Sequence, residues 1–249
     1  MKILYNNNDL IEALKGVSKL GFVPTMGSLH KGHISLIKRS KIECNKTIVS
    51  IFVNPTQFNN KNDYKNYPKN HKKDLSVLKK LKVNFVYVPN KNQIYNSKRK
   101  SKIKINIKDK ILCAKFRKGH FEGVLDIMDR MTNLIKPQKI FMGEKDFQQL
   151  YLVKRYIEKK YKSIIVACKT IRGKNTIALS SRNLLLSKKN LNVAGKLTKN
   201  LILFKKNLSK IKFFSHLIDH KKESLIKSYN IKIEYIELRN KFSLKKTNN

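Results

Sequence analysis

The stretch Pro24-Thr25-Met26-Gly27-Ser28-Leu29-His30-Lys31-Gly32-His33 decides the reading of this chain. It follows a short apolar run at residues 20–23 and opens onto Ile34-Ser35-Leu36-Ile37, which has the spacing of an amphipathic helix. Strand, tight glycine turn and helix N-terminus in succession present backbone N–H groups and a positive dipole end to a phosphate. Two histidines three residues apart stand at that mouth, near enough on one face to act on one substrate. An H-x-G-H pair after a buried strand suggests attack on a nucleoside triphosphate. A polar turn with satisfied histidines is the plainer alternative.

Working outward, residues 47–53 (Thr-Ile-Val-Ser-Ile-Phe-Val) form an unbroken β-branched and apolar run, typical of a parallel strand covered on both faces. Residues 70–82 read as helix and 84–88 as a strand stopped by Pro89. Upstream, Asp9-x-x-Glu12 reads as a capping box, with Leu10, Ile11, Leu14 and Val17 carrying helical spacing through Leu20. The β-α-β-α-β succession predicts an α/β fold with a doubly wound parallel sheet, whose ligands sit beyond the carboxyl ends of the strands. Residues 90–110 are a lysine-rich connector in which Ile103, Ile105 and Ile107 alternate with polar residues, the pattern of a half-exposed strand. A helix is expected over 123–135, a strand over 139–142, a Gly143-Glu144-Lys145-Asp146 turn, a helix through Tyr161 and a strand over 163–170. After Ile171-Arg172-Gly173 the character changes to lysine-studded helices over about 187–228 and a short strand at 231–238. The expected division is a Rossmann-like nucleotide-binding domain over 1–171 and a smaller α+β lid domain over 172–249.

At 249 residues the chain can bury a full core, roughly 70% of its unfolded surface. Three widely spaced cysteines, in no C-x-x-C pattern, argue against a disulfide framework and for a reducing compartment. The first ten residues are too polar for a secretory leader, and no run approaches the ~18 apolar residues of a membrane span. A cytoplasmic protein without a membrane partner is expected. The formal net charge of +40 fits either a nucleic-acid binder or compositional drift, since Lys, Asn and Ile abound while Trp is absent and Gly scarce. The excess falls between the catalytic-looking segments and arginine, the better bidentate reader of phosphate, is sparse. Drift, with no specific nucleic-acid partner, is the preferred reading.

Four further segments are too polar for their buried context unless they hold a ligand: Asn54-Pro55-Thr56-Gln57-Phe58, Gly119-His120-Phe121-Glu122-Gly123, Gly143 to Gln149, and Leu179-Ser180-Ser181-Arg182-Asn183. In order and spacing, these and the opening stretch resemble the pantoate–β-alanine ligase (pantothenate synthetase) family of the nucleotidyltransferase superfamily, over nearly the whole chain. The resemblance implies ATP-dependent condensation of pantoate with β-alanine through a pantoyl adenylate, releasing pyrophosphate and then AMP. It implies His30 and His33 as donors to the phosphates, His33 being the residue the family labels proton donor, and Lys145 on the α-phosphate. It places Met26, Gly27, Ser28, Leu29, Lys31 and Gly32 with the histidines along the ATP site. Gly143, Glu144, Asp146, Ile171 and Leu179 complete that site, with Ser180, Ser181 and Arg182 on the β- and γ-phosphates, closing from the second domain. Gln57 and Gln149 would grip pantoate with neutral amides, Asn54 counts with them among the residues binding pantoate or β-alanine, and His120 and Arg117 lie near the pocket. Magnesium would arrive with ATP, and the family is usually a homodimer.

The sequence departs from the family at Thr56 (Met), Lys118 (Pro) and Asn175-Thr176 (Asp-Gly), and at Asp126, where a small neutral residue is usual. A carboxylate at 126 is expected to point to solvent or to perturb the pantoate pocket. The sequence ends soon after Leu238, short of the family's final strands, so a less rigid lid is expected. Two rivals stand beside this reading. A related nucleotidyltransferase would keep the histidines but has no need of Gln57 and Gln149 as a pair; a basic nucleic-acid-binding protein would explain the charge but not the five motifs.

Overall fold

Successive strand residues are buried on alternate faces of one sheet. Phe22, Ile48, Tyr87 and Ile140 belong to one apolar cluster, and their chain neighbours Val23, Val49, Val86 and Phe141 to another. A sheet buried on both faces needs helices on both, and needs strands without a polar side. The computed structural model, which describes residues 1–95, 103–208 and 215–247, has that arrangement. In chain order the elements of the sheet region are β1 (Lys2–Leu4), α1 (Asn7–Leu14), β2 (Leu20–Thr25), α2 (Lys31–Glu43), β3 (Lys46–Ile51), α3 (Lys61–Lys65), α4 (His71–Lys80) and β4 (Phe85–Tyr87). They continue with α5 (Lys91–Ile94), α6 (Cys113–Phe116), α7 (His120–Ile135), β5 (Lys139–Gly143), α8 (Phe147–Lys160) and β6 (Ile164–Cys168). Two longer helices follow, α9 (Lys188–Leu208) and α10 (Ser215–Tyr229).

The six strands are all parallel in the order β1-β4-β3-β2-β5-β6, the doubly wound α/β arrangement the sequence predicts. The winding runs one way from β2 through β3 to β4 and the other way from β5 to β6. The order therefore reverses between β2 and β5, and a cleft opens at their carboxyl ends.

The chain divides into two units, Met1–Ile171 with Ala178–Leu184, and Arg172–Ile177 with Leu185–Asn249. Residues 178–184 thus belong to the first unit, whereas the sequence reading assigned them to a lid over 172–249. Three local expectations are also corrected. The first helix is capped by Asn6, whose side chain accepts from the Asp9 amide at 2.8 Å, and it ends at Leu14; Asp9 is the capped residue, not the cap. Residues 103–106 form no strand, and 107–109 are a helical turn with Ile107 exposed, so the alternation marks which isoleucines touch the core, Ile105 above all. Residues 231–238 carry no strand either; an isolated antiparallel bridge joins Arg239 to Lys246. The part of the connector at 96–102, residues 209–214 of the expected helical stretch and the last two residues lie outside the described residues.

Asp126 neither reaches solvent nor enters the cleft. The residue is 6% exposed, and its carboxylate accepts from Arg130 Nε at 2.9 Å one helical turn along α7. Removing one partner of a buried pair leaves the other charge uncompensated, so Asp126→Ala should destabilise the fold by about 3–5 kcal/mol, while Asp126→Ala/Arg130→Met recovers much of the loss. Urea denaturation of both variants checks this; equal destabilisation would refute it.

In the second unit, Thr176 stands at φ +66°, in a turn closed by the Gly173 amide on Ile177 O at 2.9 Å. A left-handed conformation costs a side-chain-bearing residue roughly 1–2 kcal/mol, of which glycine's greater unfolded freedom returns about 0.5–1. Thr176→Gly should therefore stabilise by up to about 1 kcal/mol, raising Tm by roughly 2–4 °C. A lowered Tm would mean that the hydroxyl's bonds to Asn175 O and Gly195 O outweigh the strain.

Candidate active site

A cavity of about 260 Å³ lies at the reversal point, within the first unit. Its floor is made by Pro24 and Thr25 of β2, Ser50 of β3 and Phe141 to Gly143 of β5, all at carboxyl ends. Around it stand Met26, His30, Gly32, His33, Lys145, Asp146, Ile171, Leu179, Ser180, Ser181 and Arg182, together with Gln57, Gln149 and Asn54. Arg117 and His120 line it as well. Gly27, Ser28, Leu29, Lys31 and Glu144 do not, and Lys31 and Glu144 are exposed.

The turn that precedes α2 is held from below. Gly27 has φ +79°, and a Cβ there would meet Asp74 Oδ2 at 2.9 Å, so both conformation and space require glycine. Ser28 follows at φ +51°. The Asp74 carboxylate, from α4, accepts the amides of Ser28 at 2.8 Å and Leu29 at 2.7 Å. His30 caps α2, its Nδ1 accepting the Gly32 amide at 3.1 Å, and His33 Nδ1 accepts the His30 amide at 3.3 Å, closing a capping box. The amides of Ser28, Leu29, His30 and Gly32 are therefore already bonded. This corrects the expectation that the turn offers them to a phosphate. Instead each histidine, with Nδ1 accepting, carries its proton on Nε2, and the rings stack with centroids 4.0 Å apart. Asp74 was missed in the sequence, although its signal was there: it falls four residues before Leu78, on the buried stripe of α4.

Two of the cations that line the cavity are paired with acids. Lys145 Nζ lies 2.7 Å from Asp146 Oδ1, an exposed pair worth about 0–1 kcal/mol. Arg182 is held more firmly. Its Nε and Nη2 donate to the two oxygens of Asp63 at 3.0 and 2.8 Å, and its guanidinium lies 5.1 Å from the Tyr67 ring centre and 5.7 Å from that of Phe58. Asp63, another residue not foreseen, is held below the usual carboxylate range chiefly by that bond. Ser181 Oγ donates to Ser28 O at 3.1 Å, tying the segment to the glycine turn.

Asn54 is 1% exposed and wholly committed to the protein. Its Nδ2 donates to Gln57 Oε1 at 3.1 Å and Gly123 O at 3.2 Å, and its Oδ1 accepts from Tyr95 Oη at 2.7 Å. It therefore holds Gln57 rather than gripping a substrate itself, as the resemblance had implied. Gly123 allows the approach, since a Cβ there would lie 2.4 Å from Thr56 O. His120 Nδ1 bonds Gln57 O at 2.6 Å. Among the described residues no three His, Cys, Asp or Glu side chains form a metal-ligand group, and no helix is long and apolar enough to cross a membrane.

Burial, the His30 ring and the Lys145 charge push His33 down to about 3, and burial with Lys145 lowers His30 also. Both rings are neutral Nε2–H donors near pH 7. The folded chain refuses protons that the unfolded chain binds below about pH 6.5, so this pair removes stability as pH falls from there toward about 3. His33→Gln keeps an acceptor and a donor without the titration. Its stability relative to the parent should rise as pH drops from 6.5 to 4.5, with a slope approaching about 1.4 kcal/mol per pH unit. Denaturant midpoints across that range measure it; parallel profiles would contradict the burial of a neutral His33.

The family described as pantoate–β-alanine ligase matches residues 2–249. A pantothenate synthetase of Francisella philomiragia is 41% identical over 191 residues, covering 76% of this chain and 73% of that protein. One of Legionella pneumophila is 40% identical over 203 residues, covering 80% and 81%. The crystal structure of pantothenate synthetase from Thermus thermophilus superposes with a TM-score of 0.92 at 27% identity, covering 100% of this chain and 90% of that one. The pantoate–β-alanine ligase of Francisella tularensis, crystallised with beta-gamma ATP and β-alanine, gives 0.86 at 36% identity, covering 96% and 90%. With a family match over nearly its whole length and relatives of this closeness, the chain belongs to the pantoate–β-alanine ligase family.

Proposed function

We propose that the protein condenses pantoate with β-alanine at the expense of ATP, through an enzyme-held pantoyl adenylate. The observation that carries the reading is that one cavity gathers a neutral histidine pair, Lys145, Arg182 and two glutamines. The first set suits a polyphosphate, and the second suits a small hydroxy acid whose carboxylate must stay nucleophilic, because an amide bonds it without neutralising it.

In the first step the pantoate carboxylate oxygen attacks the α-phosphorus, and the bond to pyrophosphate breaks. Charge shifts onto phosphate oxygens, so positioning and electrostatic stabilisation do most of the work. His30 and His33 donate Nε2–H to the phosphates, and Lys145, released from Asp146, follows the α-phosphate. Ser180, Ser181 and Arg182 hold the β- and γ-phosphates, while Gln57 and Gln149 orient pantoate and Asn54 orients Gln57. In the second step the β-alanine amine attacks the acyl carbonyl and AMP leaves, the amine giving up its proton. Magnesium travels with ATP, the phosphates supplying most of its ligands. We place the enzyme in the cytoplasm as a homodimer without a nucleic-acid or membrane partner.

An adenylate formed before the amine arrives requires exchange of labelled pyrophosphate into ATP with pantoate present and β-alanine absent. Lys145→Ala should slow that exchange about a hundredfold or more, the scale of losing one transition-state donor, with smaller effects on substrate binding. Gln57→Ala and Gln149→Ala should each raise the pantoate concentration needed, with little change for ATP. No pantoate-dependent exchange by the folded, magnesium-supplied protein would defeat the assignment; exchange with another acid would favour a different nucleotidyltransferase.

A further inference from the structure

We infer that Tyr95 is a positioning residue whose hydroxyl holds in place the Asn54 side chain, oriented by the Thr56 amide and the Gly123 carbonyl, so that Asn54 turns the Nε2–H of Gln57, not its carbonyl oxygen, toward the substrate. The inference deepens the proposed function, on which its substrate readout rests.

The chain of bonds has a direction. Asn54 Oδ1 receives the Tyr95 hydroxyl at 2.7 Å, the Thr56 hydroxyl at 3.0 Å and the Thr56 amide at 3.3 Å. A backbone N–H can only donate, so that end of the side chain is oxygen. The other end faces Gly123 O at 3.2 Å, which can only accept, so it is nitrogen. With its nitrogen fixed, Asn54 donates to Gln57 at 3.1 Å, and the atom receiving that bond is Oε1. Gln57 is left with Nε2, which lies 3.0 Å from the Met26 sulfur at the edge of the cavity. A thioether is a weak acceptor, readily exchanged for a carboxylate or hydroxyl oxygen of the substrate.

Tyr95 is itself pinned from behind. The Arg130 guanidinium lies 4.8 Å from its ring centre, and Arg130 Nη1 donates to the preceding carbonyl, Ile94 O, at 3.1 Å. Asp126 balances the Arg130 charge. The Thr56 hydroxyl, 3.1 Å from Tyr95 Oη, joins both to Asn54. Burial pushes Tyr95 up to about 12, so the hydroxyl keeps its proton at any working pH. Two departures from the family pattern, Thr56 and Asp126, thus fall in one network that ends at the substrate-facing amide.

The test compares Tyr95→Phe, Thr56→Val and the double variant with the parent protein in pantoate-dependent pyrophosphate exchange. The ring beneath Arg130 remains in Tyr95→Phe, so the fold is retained. Expected is a rise of about tenfold in KM for pantoate in the double variant and less in each single one. KM for ATP and the rate at saturating pantoate should stay within about twofold, and Thr56→Ser, which restores a hydroxyl, should behave as the parent. A merely structural role would lower Tm without this substrate-selective split. Unchanged KM for pantoate, or equal rises for both substrates, overturns the inference. A readout independent of the reaction separates its failure from that of the proposed function. By NMR, the side-chain amide protons of Asn54 should exchange with solvent measurably faster in the double variant; unchanged exchange overturns the relay whatever the substrate proves to be.

Discussion

Asp74 accepts the amides of Ser28 and Leu29 from a position 3% exposed, and the histidine end of the cleft is built on those two bonds. Hydrogen bonds to a charged group contribute about 1.5–3 kcal/mol each, enough to offset the left-handed backbone of Ser28, which costs roughly 1–2. With the turn fixed, α2 begins at His30, the two histidines close their capping box, and Ser181 ties its own segment to Ser28 O. The loop could not relax toward a more comfortable conformation without stranding a buried carboxylate, which is the costlier fault.

The arrangement divides labour between fixed dipoles and movable charge. Helix capping consumes Nδ1 of each histidine and so dictates the tautomer that carries its proton on Nε2. Burial above all, with the nearby Lys145 charge, keeps the rings neutral. Lys145 rests on an exposed, weakly held partner and can be handed to a ligand, whereas Arg182, bidentate to Asp63 and flanked by Tyr67 and Phe58, is set in place beforehand.

Much of this was legible because the informative segments are local. The β-branched run that includes β3 and the strand-turn-helix at Pro24–His33 announce a doubly wound sheet through short-range pattern alone. What was missed depends on partners far along the chain. The alternation of Ile103, Ile105 and Ile107 has the strand period, yet no neighbouring strand among the described residues pairs with it, and a single buried isoleucine accounts for much of the pattern. Asp126 was expected to face either water or substrate because its arginine, one helical turn away, was not considered as a buried partner. Asp63 is an ordinary acid in sequence, and the place of Asp74 on the apolar stripe of its helix marks it as buried without naming its partners; only the fold brings Arg182, 119 residues away from Asp63, and the glycine turn to meet them.

A net charge of +40 sets a second constraint on how those few acids are spent. Like charges at that density oppose compaction, and sixteen acidic residues cannot neutralise fifty-six basic ones. The buried acids do a different task. Asp74 holds amides, Asp109 meets Arg155, Asp126 meets Arg130, and Asp129 takes both Lys160 and the Tyr161 hydroxyl. A carboxylate used this way fixes one geometry at one point, where a surface pair would be screened by salt and contribute little. The cleft's immediate field is set by the charged groups that line it, Arg117, Lys145, Lys169 and Arg182 with Asp146, among neutral histidines and amides. Of the buried acids, Asp74 bears on the cleft through the turn before α2, while the cations there rest on more exposed acids, Arg182 on Asp63 and Lys145 on Asp146.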